Sequence, residues 1–237
     1  RLPVLGAMDE WHGIHHLQRL KIKTLSVAAY GTTGGMYNWA RRRSFIVTDE
    51  IANSKSLEEF CREWKTHPPV SPSEIRFKRW LIEQVAVIAR KMHNSGANHR
   101  DFYLDHFMLQ PGYRSGQLSA DASRLFVIDL HRMQLRRRTP TRWQVKDIAG
   151  LRFSSFILGL TKKDRYRFIG TYWSETSLRQ SLGLGPHYWR DPQSLRNRLF
   201  WWRVESWARK LQQAEERRGP DPQLGHGVQV AKPHAPH

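Results

Sequence analysis

A chain of 237 residues with 39 Lys and Arg against 21 Asp and Glu carries a formal net charge of +18, which draws it towards phosphate-rich or otherwise anionic partners. With 39% hydrophobic residues and ten Trp it holds too much core material to be disordered throughout. The single cysteine, Cys61, excludes an intrachain disulfide and a multi-Cys zinc site and fits a reducing, cytosolic compartment. No apolar run approaches the ~20 residues of a membrane-spanning helix. Residue 1 is Arg, and neither a charged n-region nor an apolar h-region follows, so no signal peptide is expected and the chain reads as a fragment.

Met8, Trp11, His15 and Leu20 recur at helical spacing and predict a helix over the first twenty residues. Segments 25–30 and 44–48 are rich in β-branched and aromatic residues, and Gly31, Gly34 and Gly35 lie between them, so they read as a hairpin. Ser56-Leu57-Glu58-Glu59 and Ser71-Pro72-Ser73-Glu74 both have capping-box spacing, the second with Pro at the first helical position. The helix so opened carries Leu81, Val85, Ile88 and Met92 on one stripe and runs to the loop around Gly96. Beyond a turn at 111–116, the apolar run 125–128 predicts a strand that delivers Asp129 to a cleft. Thr141 with Gln144 repeats the capping-box spacing, and helical pieces follow at 141–158, 162–172 and 191–217, the last opened by Asp191-Pro192. The Gly-, Pro- and His-rich residues 219–237 have no periodicity and are expected to form a disordered tail.

One segment carries chemistry. His99-Arg100-Asp101-Phe102-Tyr103-Leu104-Asp105-His106 follows a long helix and precedes a strand. It resembles a kinase catalytic loop, in which the Asp of H-R-D accepts the proton of the attacking hydroxyl and a polar residue further on helps to hold a metal ion. His106 stands at that later position where kinases carry Asn. Val127-Ile128-Asp129-Leu130 then supplies a second acid at a strand end. Phosphoryl transfer needs both carboxylates: one orients the nucleophile, and the other fixes counter-charge against the transferred group.

Longer stretches narrow the resemblance. Met92-His93-Asn94-Ser95-Gly96-Ala97-Asn98-His99-Arg100-Asp101, Val127-Ile128-Asp129-Leu130-His131-Arg132-Met133-Gln134 and Lys146-Asp147-Ile148-Ala149-Gly150-Leu151 closely resemble the bacterial lipopolysaccharide core heptose(I) kinases, from about residue 2 to about residue 172. The resemblance implies an α+β, protein-kinase-like fold. Residues 1–52 would be a remnant of the N-terminal lobe and hinge, 53–218 a mainly helical C-terminal lobe, and 219–237 the tail. It also implies a cytoplasmic enzyme, peripheral to the inner membrane, that moves phosphate from ATP with Mg²⁺ to an inner-core heptose on a lipid-anchored acceptor.

By the same resemblance Asp101 is the catalytic base that accepts the hydroxyl proton, and Asp129 and His106 form the metal side. Asp49, Glu50 and Ile51 form the hinge that binds adenine through backbone groups. Glu10 is the helix acid that pairs with the nucleotide Lys, while His99, Arg100 and Asp147 brace the catalytic loop. Two departures stand out. The family carries Cys at the positions of Phe102 and Asp105, so Asp105 adds a carboxylate, either a surface acid or a further metal ligand. The glycine-rich loop and nucleotide Lys belong upstream of Glu10, whereas Lys21 and Lys23 follow it, so the chain reads as an amino-terminally truncated kinase whose own activity is open. A pseudokinase or non-catalytic binding protein remains the alternative. A nucleic-acid-binding protein is the less favoured one: charge with interleaved aromatics over 196–207 suits it, but no nucleic-acid module is present and an anionic glycolipid or membrane suits the charge equally.

Overall fold

In chain order, the elements are α1 (Gly6–Arg19), β1 (Lys23–Thr24), β2 (Val27–Thr33), β3 (Arg43–Thr48), β4 (Lys55–Ser56), α2 (Leu57–Cys61), α3 (Pro72–Asn94) and β5 (Ala97–Asn98). They continue with β6 (Phe107–Gln110), β7 (Tyr113–Arg114), β8 (Gln117–Leu118), β9 (Arg124–Val127), β10 (Gln134–Leu135), α4 (Thr141–Ser154), α5 (Lys162–Trp173) and α6 (Leu195–Arg218). The computed structural model describes residues 6–33, 43–174 and 195–218. Gly34 and Gly35 of the expected hairpin turn, the Asp191-Pro192 helix start and the 219–237 tail lie outside the described residues.

α3 forms where both ends of its sequence demand it. The Ser71 hydroxyl accepts the Glu74 amide at 3.2 Å, the Glu74 carboxylate accepts the Ser71 amide at 3.0 Å, and Pro72 needs no donor in the first turn. Its inner stripe, Phe77, Leu81, Val85, Ile88 and Met92, is buried. Past Asn94 the chain turns at Gly96, whose φ of +87° favours glycine and where a Cβ would collide with the Arg136 carbonyl. α5 has a complete capping box of its own, Thr161 with Asp164, and Lys78 of α3 reaches the same Asp164 carboxylate at 2.8 Å.

β2 and β3 pair antiparallel as the predicted hairpin, with Gly31 inside β2. The central sheet has the order β1-β9-β6-β4; β1 runs parallel to β9 and the other pairs are antiparallel. β10 pairs with β5, which ties the chain after Asp129 to the chain after α3. Ile14 and Leu17 of α1 belong to the same buried cluster as Met92, Phe102, Phe107, Val127 and Ile148, so the first helix shares a core with the helical part.

Two capping expectations are corrected by local geometry. α4 is N-capped by Pro140 without a side-chain cap. Thr141 already has helical backbone, and the Gln144 amide side chain donates to the Thr139 carbonyl at 3.1 Å, so no capping box forms there. At α2 only half a box forms: Ser56 accepts the Glu59 amide, while the Glu59 carboxylate pairs with Lys55 at 3.5 Å. The tryptophans of α6 do not share one fate. Phe200, Val204 and Ala208 form its buried seam, Trp201 packs edge-on against Phe168, and Trp202 stays 66% exposed. Between α2, α3, α4, α5 and α6 lies a mostly apolar cavity of about 500 Å³, walled by Leu81, Val85, Ile148, Leu158 and Phe168 and reaching Leu104 in the 99–106 loop.

Candidate active site

Asp147, in the second turn of α4, is buried. One carboxylate oxygen accepts the His99 amide at 2.8 Å and the other accepts the Arg100 amide at 3.0 Å. His93 on α3 donates Nε2–H to the same carboxylate at 3.2 Å, and its Nδ1 meets the Tyr172 hydroxyl of α5 at 2.8 Å. Burial, aided by the Asp147 charge, pushes the Tyr172 phenol well up, so its proton stays in place to donate to His93. Three helices thus hold the loop backbone through one carboxylate. Arg100 has φ +80°, a conformation that costs of order 1–3 kcal/mol for an L side chain and persists only where its surroundings enforce it.

Held in this way, the loop presents Asp101, half-buried. Its Oδ1 accepts Arg132 Nη1 at 2.7 Å, and its carbonyl accepts His106 Nδ1–H at 2.7 Å. Nδ1 being committed as donor, His106 turns Nε2 to two carboxylates, Asp129 at 3.3 Å and Asp105 at 3.7 Å. Asp129 follows β9 with left-handed backbone, φ 59°, and its other oxygen meets His131 Nδ1. The strand end is clamped to the loop twice: the Ile128 amide donates to the His106 carbonyl at 3.0 Å, and His99 Nε2–H donates to the Ile128 carbonyl at 3.0 Å. Burial pushes the His99 imidazole below its usual range, which keeps it a neutral donor; its ring stacks on that of His106 at 5.8 Å. The Tyr103 phenol is pushed up by burial and by the Asp101 charge.

The structure therefore brings together Asp101, His106, Asp129, Asp105, His99, Arg100 and Asp147. Glu10 faces the group from α1: burial raises its carboxyl, and the Asp129 charge adds to the rise. Asp49, Glu50 and Ile51 stand apart at the end of β3. The Asp49 amide donates to the Ser26 carbonyl at 2.9 Å and the Ile51 carbonyl accepts Ser54 at 2.7 Å. No hydrogen bond or ion pair among the described residues joins them to the Asp101 group. Lys21 and Lys23 are exposed. Sequence reasoning did not single out Arg132 and His131, the partners of the two key carboxylates; the available signal was their place directly after the strand-end acid.

The donor set fits Mg²⁺. Carboxylate oxygens suit this hard cation better than imidazole does, so Asp129, with Asp105 nearby, is the better pair and His106 the weaker ligand. Among the described residues no three His, Cys, Asp or Glu form a cage of their own, and Mg²⁺ ordinarily takes one or two carboxylates plus substrate phosphates.

A mainly helical body, a loop that carries one carboxylate and an adjoining strand end that carries a second define a kinase-like α+β protein. The chain belongs to the Lipopolysaccharide kinase (Kdo/WaaP) family, whose pattern matches residues 1–172. It is 43% identical over 184 residues to the lipopolysaccharide core heptose(I) kinase WaaP of Escherichia coli (strain K12), a match that covers 78% of this chain and 66% of that protein. It is 42% identical over 219 residues to the protein of the same name from Pseudomonas aeruginosa (strain PAO1), covering 92% of this chain and 74% of that protein. The solved structure of WaaP in complex with acyl carrier protein superposes with a TM-score of 0.68 at 40% identity, covering 87% of this chain and 77% of that one.

The raised Glu10 carboxyl yields a pH prediction. A group whose pKa rises on folding adds stability that is fully present below its unfolded pKa and is lost as pH rises through the folded one. Glu10→Gln in this chain is therefore expected to raise the thermal midpoint at pH 7, with the gap closing as pH falls below the ordinary 4.5. Melting curves across that range check it; an unchanged or lower midpoint at pH 7 contradicts the cost of burying the ionised Glu10.

Proposed function

We propose that the protein, at the length of its relatives, transfers the γ-phosphate of ATP to a hydroxyl of an inner-core heptose of lipopolysaccharide. The observation that carries this is the convergence of Asp101, His106 and Asp129 on a loop pinned by Asp147. Arg132 occupies Oδ1 of Asp101 and fixes the carboxylate plane, leaving Oδ2 to accept the proton of the sugar hydroxyl as its oxygen attacks phosphorus and the bond to the ADP oxygen breaks. Bound Mg²⁺ supplies counter-charge to the phosphates, and Asp129 with Asp105 would hold it. His106 ties the loop to the strand-end acid by donating to the Asp101 backbone carbonyl while facing the Asp129 carboxylate. Asp49 to Ile51 supply the hinge for the adenine, and Glu10 the acid that receives the nucleotide Lys.

Asp101→Ala in the full-length enzyme is expected to lower kcat by ~10² to 10⁴-fold with an unchanged fold by circular dichroism. Near-normal phosphate transfer from radiolabelled ATP by the folded variant overturns the assignment.

Two surfaces fit the partners of such an enzyme. On α6, exposed Trp202, Leu199 and Trp207 lie among exposed Arg198, Arg203, Arg209 and Lys210, a composition suited to peripheral binding at an anionic cytoplasmic leaflet, where each cation contributes ~1 kcal/mol. The apolar cavity behind Leu104 offers the surroundings an acyl chain requires, so an acyl carrier protein, the partner in the solved WaaP complex, is proposed as a partner here too. Co-sedimentation with anionic vesicles should be strong at low salt and released at about 1 M, where the Debye length shrinks to ~3 Å. Binding of a carrier protein should require its acyl chain. Salt-independent vesicle binding, or equal binding of acylated and unacylated carrier protein, contradicts the respective surface.

A further inference from the structure

Between Asp129 and Asp147 the sequence holds Arg132, Arg136, Arg137, Arg138, Arg142 and Lys146 and no acid. Folding gathers several of these around one ring. The guanidinium carbons of Arg100, Arg136 and Arg142 lie 5.6, 5.7 and 5.5 Å from the centroid of the Trp143 indole, and Lys146 Nζ lies 4.9 Å from it. Several basic side chains elsewhere do meet acids: Arg132 pairs with Asp101, Lys78 with Asp164, Arg167 with Glu83, and Arg152 with Glu205. Around Trp143 the side chains of Arg100, Arg142 and Lys146 reach no carboxylate among the described residues; Lys146 also lies 4.8 Å from the Trp207 ring, and Arg136 is anchored by donating to Asn98 and Gln134.

This crowding is unfavourable by itself. Cations around one ring repel one another, and Arg142 and Lys146 are a like-charged pair at i,i+4 on one helix. An indole face attracts a cation only weakly where water competes. α4 also has no acid in its first turn, where a helix favours negative charge. One bound anion shared by these cations would offset all four costs. Arg100 places this charge beside the chemistry: its backbone, strained at φ +80° and held by Asp147, sends its side chain to Trp143, while the next residue, Asp101, turns to Arg132. The two Cα atoms are ~3.8 Å apart across the shared peptide.

We propose that Arg100, Arg136, Arg142 and Lys146 form an anion subsite for the acceptor, with Trp143 as the rigid platform that orients them. It takes a phosphate or carboxylate group carried by the acceptor glycan, for which two or more guanidinium forks supply bidentate donors, and so sets which hydroxyl reaches Asp101. This assignment rests on the phosphotransfer reading above and adds the chemistry of acceptor recognition to it.

The test uses the full-length enzyme, the double variant Arg142→Gln/Lys146→Gln, and a control with equal charge loss on the exposed face of α3, Arg76→Gln/Arg79→Gln. Calorimetry with inorganic phosphate, at ionic strength held constant with chloride, should show saturable binding to wild type and control that weakens about tenfold or more in Arg142→Gln/Lys146→Gln. In steady-state transfer the acceptor KM of the double variant should rise about tenfold while the ATP KM stays within about twofold. Equal phosphate binding or equal acceptor KM in all three proteins overturns the subsite. A rise in ATP KM instead overturns it in favour of the nucleotide phosphates. Reduced sedimentation with anionic vesicles at an unchanged acceptor KM overturns it in favour of a general lipid contact. If not even the wild type transfers phosphate, it is the phosphotransfer reading that fails, and the calorimetry still decides whether the anion site exists.

Discussion

A carboxylate buried without partners costs several kcal/mol, and Asp147 avoids this by accepting three donors: the amides of His99 and Arg100, and His93 Nε2–H. Those bonds run both ways. They satisfy the buried charge, and they fix two consecutive peptides in a loop that contains a left-handed arginine. Tyr172, His93 and Asp147 come from α5, α3 and α4, so the packing of three helices is converted into the position of one short loop.

From that fixed loop the rest of the site follows by short covalent distances. Asp101 projects one way to Arg132 and Arg100 the other way to Trp143. His106 returns to the Asp101 carbonyl and brings Nε2 against Asp129, while β9 is clamped to the loop through Ile128. The charges divide accordingly. Acids gather on the Asp129 side, the side proposed for a divalent cation and phosphates, and cations gather on the Trp143 side, the side proposed for an anionic acceptor group.

Much of this was legible in the sequence where a local rule acts alone. Ser71-Pro72-Ser73-Glu74 and the Leu81 to Met92 stripe mark α3 because capping and amphipathic period need no tertiary partner. The His99 to His106 segment and Val127-Ile128-Asp129 carry their chemistry in residue type and order. What escaped depends on contacts between distant segments. The parallel pairing of β1 with β9 leaves no mark in two residues. The pairing of Arg132 with Asp101 is set by the β5–β10 ladder. The capping box read at Thr141 failed because Pro140 starts α4 one residue earlier. Trp201 and Trp202 look alike in sequence, and a 100° step around α6 puts one against Phe168 and the other in solvent.

The central claim, that Asp147 holds the 99–106 loop, is tested most directly by amide hydrogen exchange of wild type and Asp147→Asn, since the amide side chain keeps the size but loses acceptor capacity at one of the two oxygens. The His99 and Arg100 amides should be protected in the wild type and should exchange about tenfold or more faster in the variant, while the Met92 amide inside α3 keeps its protection. Unchanged exchange at His99 and Arg100 in the variant would contradict the account.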